Sequence, residues 1–195
     1  MGGTIKKARE EIRGLPSGQV LLVNMEKNTA AYAAHKPIPY IMSNTFRDTF
    51  GMMGGTGSTI ALLIAVFLFS RVKANRDIAA LSAVPGIFNI NEPVIFGFPI
   101  VFNIPMMIPF VLNPVIGILI AYAVTAAGWM SRVVVMVPWT TPPLISGFLA
   151  TAGDWRAVIV QIVILVINIA VYVPFLKVSE KVTAKQAEQA RAAAE

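Results

Sequence analysis

The apolar residues of this chain fall in blocks, and the blocks differ in how cleanly they run. Residues 51–70, "GMMGGTGSTIALLIAVFLFS", are apolar over about the 20 residues that a spanning helix needs. The first half of this block is small and polar, so that end is expected to face protein or water rather than lipid. It stops at "RVKANRD", residues 71–77, a compact basic loop expected in the cytoplasm. Residues 106–130 can also span, with kinks near Pro109 and Pro114 and Trp129 as an interfacial anchor. Residues 155–176 form the cleanest apolar run. Upstream, residues 21–40 mix apolar and charged positions and read as an interfacial helix followed by a proline-rich turn.

Two further apolar segments are broken. Residues 85–105 carry Pro85, Gly86, Pro93, Gly97 and Pro99, which a straight helix tolerates poorly, since an interior proline removes a hydrogen bond and clashes one turn back. Residues 133–153 are interrupted in the same way, and "NEPVIFG" and "TPPLISG" align at an offset of 50. Paired broken segments of this kind mark the binding site of many transporters, because irregular backbone at membrane depth must be covered by protein or line a cavity. The predicted fold is an all-α integral membrane protein with about three transmembrane helices, two re-entrant hairpins and an interfacial helix. Both broken segments as full crossings would give the same parity; the prolines favour re-entrance.

Composition supports the membrane class. The chain is 56% hydrophobic and only 13% charged, with a mean hydropathy of +0.69. The net charge of +6 therefore reads as topology, not as a nucleic-acid footprint. Three crossings that leave the basic-leaning C-terminal stretch, residues 177–195, with its soluble tail 183–195, in the cytoplasm place the N-terminus outside. Lys6, Lys7, Arg9 and Arg13 contradict the charge rule there, so residues 1–20 are expected to be a polar leader foreign to this topology, or a crossing is missing upstream. The leader has no signal-peptide h-region. No cysteine and one histidine, His35, exclude disulfides, thiolate metal sites, a cysteine nucleophile or phosphocysteine, and clustered histidine metal sites; no cofactor, metal or catalytic residue is expected on this chain.

The candidate chemistry lies in the broken segments. Glu92 sits inside an apolar run, where a carboxylate costs at least about 2.5 kcal/mol, so it is expected to face a cavity rather than a headgroup-level loop edge. It could bind a cation, relay a proton or accept hydrogen bonds from a sugar. Asn89 and Asn91 offer the mixture of donors and acceptors that a polyol needs. Trp139, Thr140 and Thr141 suit stacking and hydrogen bonding to a sugar ring, or Trp139 is an interface anchor. Gln161 and Asn168, seven residues apart, share a helix face and read as interhelical hydrogen-bonding groups. Arg47 and Asp48 are expected as a local charge pair or as lining of a cavity mouth. "GGTGST" lacks the ending of a phosphate-cradling loop and reads as close helix packing. Asp154 and Arg156 are placed at the membrane edge, and His35 in a surface turn.

Three stretches, "KPIPYIMSNTFRDTFGMMGGTGST", "PGIFNINEPVIFGFPIVFN" and "VPWTTPPLISGFLATAGDWRA", resemble the membrane IIC component of the phosphoenolpyruvate-dependent sugar phosphotransferase system, in its lactose, cellobiose and diacetylchitobiose branch. The likeness runs from about Leu21 to Val182. It implies a bacterial plasma-membrane homodimer that carries a β-linked disaccharide and presents it to a phosphorylated IIB subunit. The phosphoryl group would come from a cysteine of IIB. IIC itself carries none, so only the assembled complex would be a phosphotransferase. The resemblance gives Glu92 a contact with the sugar near the hydroxyl to be phosphorylated, and puts Trp139 beside the same cavity. It also implies two re-entrant hairpins.

Several family features are absent. The upstream helices, with much of the dimer interface, are missing, and so is a glycine–histidine segment whose role His35 does not inherit. Ile104 stands where members commonly have proline. The expectation is a C-terminal, sugar-binding half, residues 21–182, truncated or split from its partner half. A non-transporting remnant or interaction subunit, and an ion-coupled sugar transporter using Glu92, are the alternatives.

Overall fold

The computed structural model describes residues 16–192, and these fold into helices and loops with no strand among them. Residues 1–15, most of the expected leader, lie outside the described residues. Helix α1 (Ser17–Ala33) matches the expected interfacial helix but starts inside the segment assigned to the leader. Its polar stripe is packed, not solvated. The Asn28 carboxamide donates to Tyr40 O (2.8 Å) and Val133 O (2.9 Å) and accepts from Tyr40 N (3.1 Å), while Asn24 donates to Met42 O (3.0 Å). Thr29 adds a bond to Val134 O (2.9 Å). Each satisfies a loop carbonyl that burial would otherwise leave unpaired.

The first apolar block is not one helix. Helix α2 (Asn44–Gly51) is capped by Ser43, whose hydroxyl accepts from Phe46 N at 3.1 Å, and it buries Phe46 and Phe50 with ring centroids 5.0 Å apart. The backbone then leaves helical space: Gly54, Gly55, Gly57 and Ser58 all have positive φ. Glycine takes such angles without steric cost, so the run "GGTGS" turns the chain where hydropathy alone expects a continuous span. Helix resumes as α3 (Thr59–Phe69), whose 11 residues rise roughly 16 Å, about half a bilayer core.

The expected basic loop is also mostly helix. Only residues 70–72 connect to α4 (Lys73–Ile87), which runs through Pro85. The chain reverses at Asn89, again at positive φ, and α5 (Glu92–Gly97) packs back against α4. Pro93 stands in the first turn of α5, where its missing N–H is no loss. The first broken segment is thus a helical hairpin, followed by a 3₁₀ turn (Ile100–Phe102).

Helix α6 (Ile104–Ala126) passes through both Pro109 and Pro114. Residues 131–144 have no regular structure, but Val134 N and Val135 N both donate to Ala150 O (2.9 and 3.1 Å) in helix α7 (Ile145–Ala150), so the second broken segment closes on itself too. Helix α8 (Trp155–Ala192) then runs unbroken into the residues assigned to the tail. By length and composition, two helices among the described residues can cross a membrane: α6, and α8 over Trp155–Gln186.

α6 and α8 pack along each other and carry two cores. One is built on α3, α4 and α5 with Leu62, Val66 and Val94, the other on α1, α2 and α7 with Met25, Phe50 and Ala150. Large apolar side chains face outward as well, Phe96 (79% exposed), Phe102 (90%) and Leu119 (62%) among them, which suits lipid or further protein rather than water.

Candidate functional site

Four segments converge on one cavity of about 300 Å³, at the lower end of the size range of ligand pockets. α2 contributes Arg47 and Asp48. The glycine turn contributes Gly55 and Thr56, the tip of the first hairpin Asn89, Asn91 and Glu92, and the second broken segment Trp139.

Local chemistry fixes each wall. Arg47 donates through Nε and Nη2 to one oxygen of Asp48 (2.9 and 2.8 Å), so both expected roles hold: they pair with each other and line the cavity. Asn91 donates through its side chain to Thr56 O (2.7 Å), and its side-chain Oδ1 has no partner among the described residues. Asn89 sits in the left-handed conformation that asparagine adopts more readily than most residues, and its carboxamide bonds Gly54 N, Trp139 O and Thr141 O. Glu92 is exposed to the cavity and makes no hydrogen bond or ion pair among the described residues. The Trp139 side chain is 61% exposed, on the same cavity.

Four of the six residues singled out from the sequence therefore meet: Asn89, Asn91, Glu92 and Trp139. Thr141 lines a neighbouring crevice of about 10 Å³, and Thr140 lines neither space. The side chain of Asn89 is taken up by backbone groups, so it acts as a cross-link. Sequence reasoning missed the contribution of Gly55 and Thr56, although "GGTG" signalled a backbone that cannot continue as helix. Gln161 makes the interhelical bonds expected of it, whereas both side-chain polar atoms of the equally buried Asn168 lack a partner among the described residues.

The available groups are a carboxylate and an amide oxygen that have no partner among the described residues, a guanidinium–carboxylate pair and an indole face. Together they offer donors, acceptors and a stacking surface, which match a ligand rich in hydroxyls.

The profile of the family "Phosphotransferase system, EIIC" matches residues 15–114, just over half of the chain. The chain belongs to this family. As an EIIC chain it is a member of a family of integral membrane permeases. It is 46% identical over 134 residues to the cellobiose-specific EIIC component of Lactococcus lactis subsp. lactis (strain IL1403), covering 69% of this chain and 27% of that protein. It is 40% identical over 167 residues to the oligo-beta-mannoside-specific EIIC component of Bacillus subtilis (strain 168), covering 84% and 38%. The crystal structure of the transporter ChbC, the IIC component from the N,N'-diacetylchitobiose-specific phosphotransferase system, superposes with a TM-score of 0.82 at 36% identity, over 88% of this chain and 40% of that one. The EIIC chain thus spans roughly a quarter to two fifths of the curated relatives named here.

Proposed function

We propose that this EIIC chain is the sugar-binding part of a phosphotransferase-system permease, one that translocates a β-linked disaccharide and presents it to phosphorylated IIB. The observation that carries this reading is the unpartnered Glu92 carboxylate on a cavity that also exposes the Trp139 indole. A sugar hydroxyl would donate to Glu92 and accept from a neighbour, Asn91 or Arg47, while a pyranose face stacks on Trp139. The relatives' specificities for cellobiose, oligo-beta-mannoside and diacetylchitobiose support a β-linked substrate.

In this reading, residues 21–182 form the sugar-binding unit, and both hairpins enter the membrane without crossing it. The interruption after α2 makes α2 and α3 together one broken crossing beside α6 and α8. The C-terminal end of α8 is cytoplasmic in a bacterial plasma membrane, as the basic residues around Arg71, Lys73 and Lys177 favour. The outward-facing Phe96, Phe102 and Leu119 would meet lipid, the remainder of a permease or a second protomer.

Equilibrium binding of labelled cellobiose and diacetylchitobiose to the chain in lipid nanodiscs tests the reading. Saturable binding is expected, weakened about tenfold or more in Glu92→Gln, since an interaction with a charged acceptor is lost. Binding that is indifferent to this substitution would remove Glu92 from the site.

A further inference from the structure

One buried side chain outside the cavity is bonded to two of its walls. Gln161 of α8 is fully buried, and all four of its hydrogen-bonding positions are engaged. Its Oε1 accepts from Leu144 N (3.0 Å) and Gly147 N (3.1 Å), both in the second hairpin. Its Nε2 donates to Thr49 O (2.8 Å) in α2 and to Ser146 Oγ (3.1 Å). Thr49 adjoins Asp48 on one side of the cavity, and Leu144 lies five residues beyond Trp139 on the other.

The local backbone is shaped to this carboxamide. Leu144 has φ +72°, a conformation that leucine rarely adopts and that persists only where the surroundings enforce it. At Gly147 a Cβ would lie 2.3 Å from Gln161 Oε1, so the position must lack a side chain for the bond to form. The crevice between this hub and the cavity, lined by Asp48, Thr49, Trp139 and Ser146, is only about 10 Å³. Contacts that close transmit a displacement instead of absorbing it.

We infer that Gln161 is a positioning residue for the cavity: it sets the separation between the Asp48 wall and the Trp139 wall without touching the ligand. The identity of the ligand rests on the function proposed above; the positioning itself does not. Asn168, two helical turns along the same face, supplies the comparison, because it is equally buried but bonds neither wall through its side chain.

The test makes Trp139 the sole tryptophan, with Trp129→Phe and Trp155→Phe, neither of which lines the cavity. Acrylamide quenching of Trp139 is measured without sugar, and cellobiose binding is titrated by its emission. Gln161→Leu is expected to change the quenching and to weaken binding about tenfold. Gln161→Glu retains the acceptor for both hairpin N–H groups but, as a carboxylate, loses the donor to Thr49 O and to Ser146 Oγ. It should keep parental quenching while binding weakens, and it decides the matter if the leucine variant does not fold. Asn168→Leu should leave quenching and binding at parental values. Parental quenching in Gln161→Leu, or an equal change in Asn168→Leu, would overturn the inference. If the parent itself binds no sugar, the function proposed above fails, and the quenching comparison still decides the role of Gln161.

Discussion

Asn89 and Gly54, 35 residues apart, are joined by a 2.7 Å hydrogen bond from the Gly54 N–H to the Asn89 side-chain Oδ1. The Asn89 amide nitrogen donates in turn to Trp139 O (2.6 Å) and Thr141 O (2.9 Å). One side chain therefore ties the glycine turn, the first hairpin and the second broken segment together beneath the cavity. Asn89→Leu removes all three bonds and places a branched side chain at φ +63°. A loss of about 2 kcal/mol or more is expected, since each buried group left unpaired costs roughly 1–3 kcal/mol. Thermal unfolding in one fixed detergent measures it, and an unchanged midpoint would refute the latch. Asn89→Asp keeps the acceptor for Gly54 and should fall between the two.

Gly55 is the point where the turn touches the hairpin tip. Its φ is +94°, and a Cβ there would lie 2.6 Å from Asn91 Cγ and 2.7 Å from Asn89 O. Part of that obstruction is backbone, so the tip must move if a methyl group is added. Gly55→Ala should abolish disaccharide binding while helix content by circular dichroism stays near parental. Gly18→Ala, with nothing within 4 Å, is the control and should bind normally. Full binding by the Gly55 variant would show that the tip does not need this contact.

Much of this arrangement was legible in the sequence where prolines and glycines break an apolar run. Those residues located both hairpins, and Glu92 stood out because a carboxylate in such a run is costly. The interruption at Gly54–Ser58 was less visible, because hydropathy averages over a glycine turn that still counts as apolar. The start of α4 was hidden for the opposite reason: Lys73, Arg76 and Asp77 look like a loop but lie on exposed helix positions. Long-range polar ties were illegible. Asn28 meets Val133 across 105 residues and Gln161 meets Thr49 across 112, and no local pattern encodes either partner. Nor could the sequence separate Asn89, held by backbone groups, from Glu92, which has no partner among the described residues.

Acid sensitivity should localise in part to Asp154, just before α8. Burial alone would raise its pKa, but the Ser131 N–H (2.8 Å), the Ser131 side chain, the Arg156 N–H (3.0 Å) and the Arg156 guanidinium outweigh it and hold the carboxyl below its usual value. A depressed folded-state pKa means stability that is fully present above the unfolded value and lost as pH falls through the folded one. Asp154→Asn should therefore lower the melting midpoint at pH 7, and its deficit relative to the parent should close below about pH 4. A deficit independent of pH would assign the effect to helix capping alone.

The two roots of the first hairpin are held by adjacent residues of α8. Asn103, at its exit, donates to Ser179 Oγ (2.6 Å). At its entry, Asn75 donates to Glu180 Oε1 (2.9 Å), as does the Ser70 hydroxyl. If α8 clamps both roots as one unit, loosening either should weaken the other, because the hairpin can then pivot. Asn103→Ala and Glu180→Ala should each increase amide exchange at residues 97–103 and 73–76 and leave residues 145–150 unaffected. In a double-mutant cycle read by thermal unfolding, the combined loss should depart from the sum of the single losses by about 0.5 kcal/mol or more. Neither substitution touches the other's bond directly, so coupling of that size has to travel through Ser179–Glu180 or through the hairpin itself. Strict additivity would mean that the two roots are fastened independently, and that the position of Glu92 at the tip is set by Asn89 and the glycine turn alone.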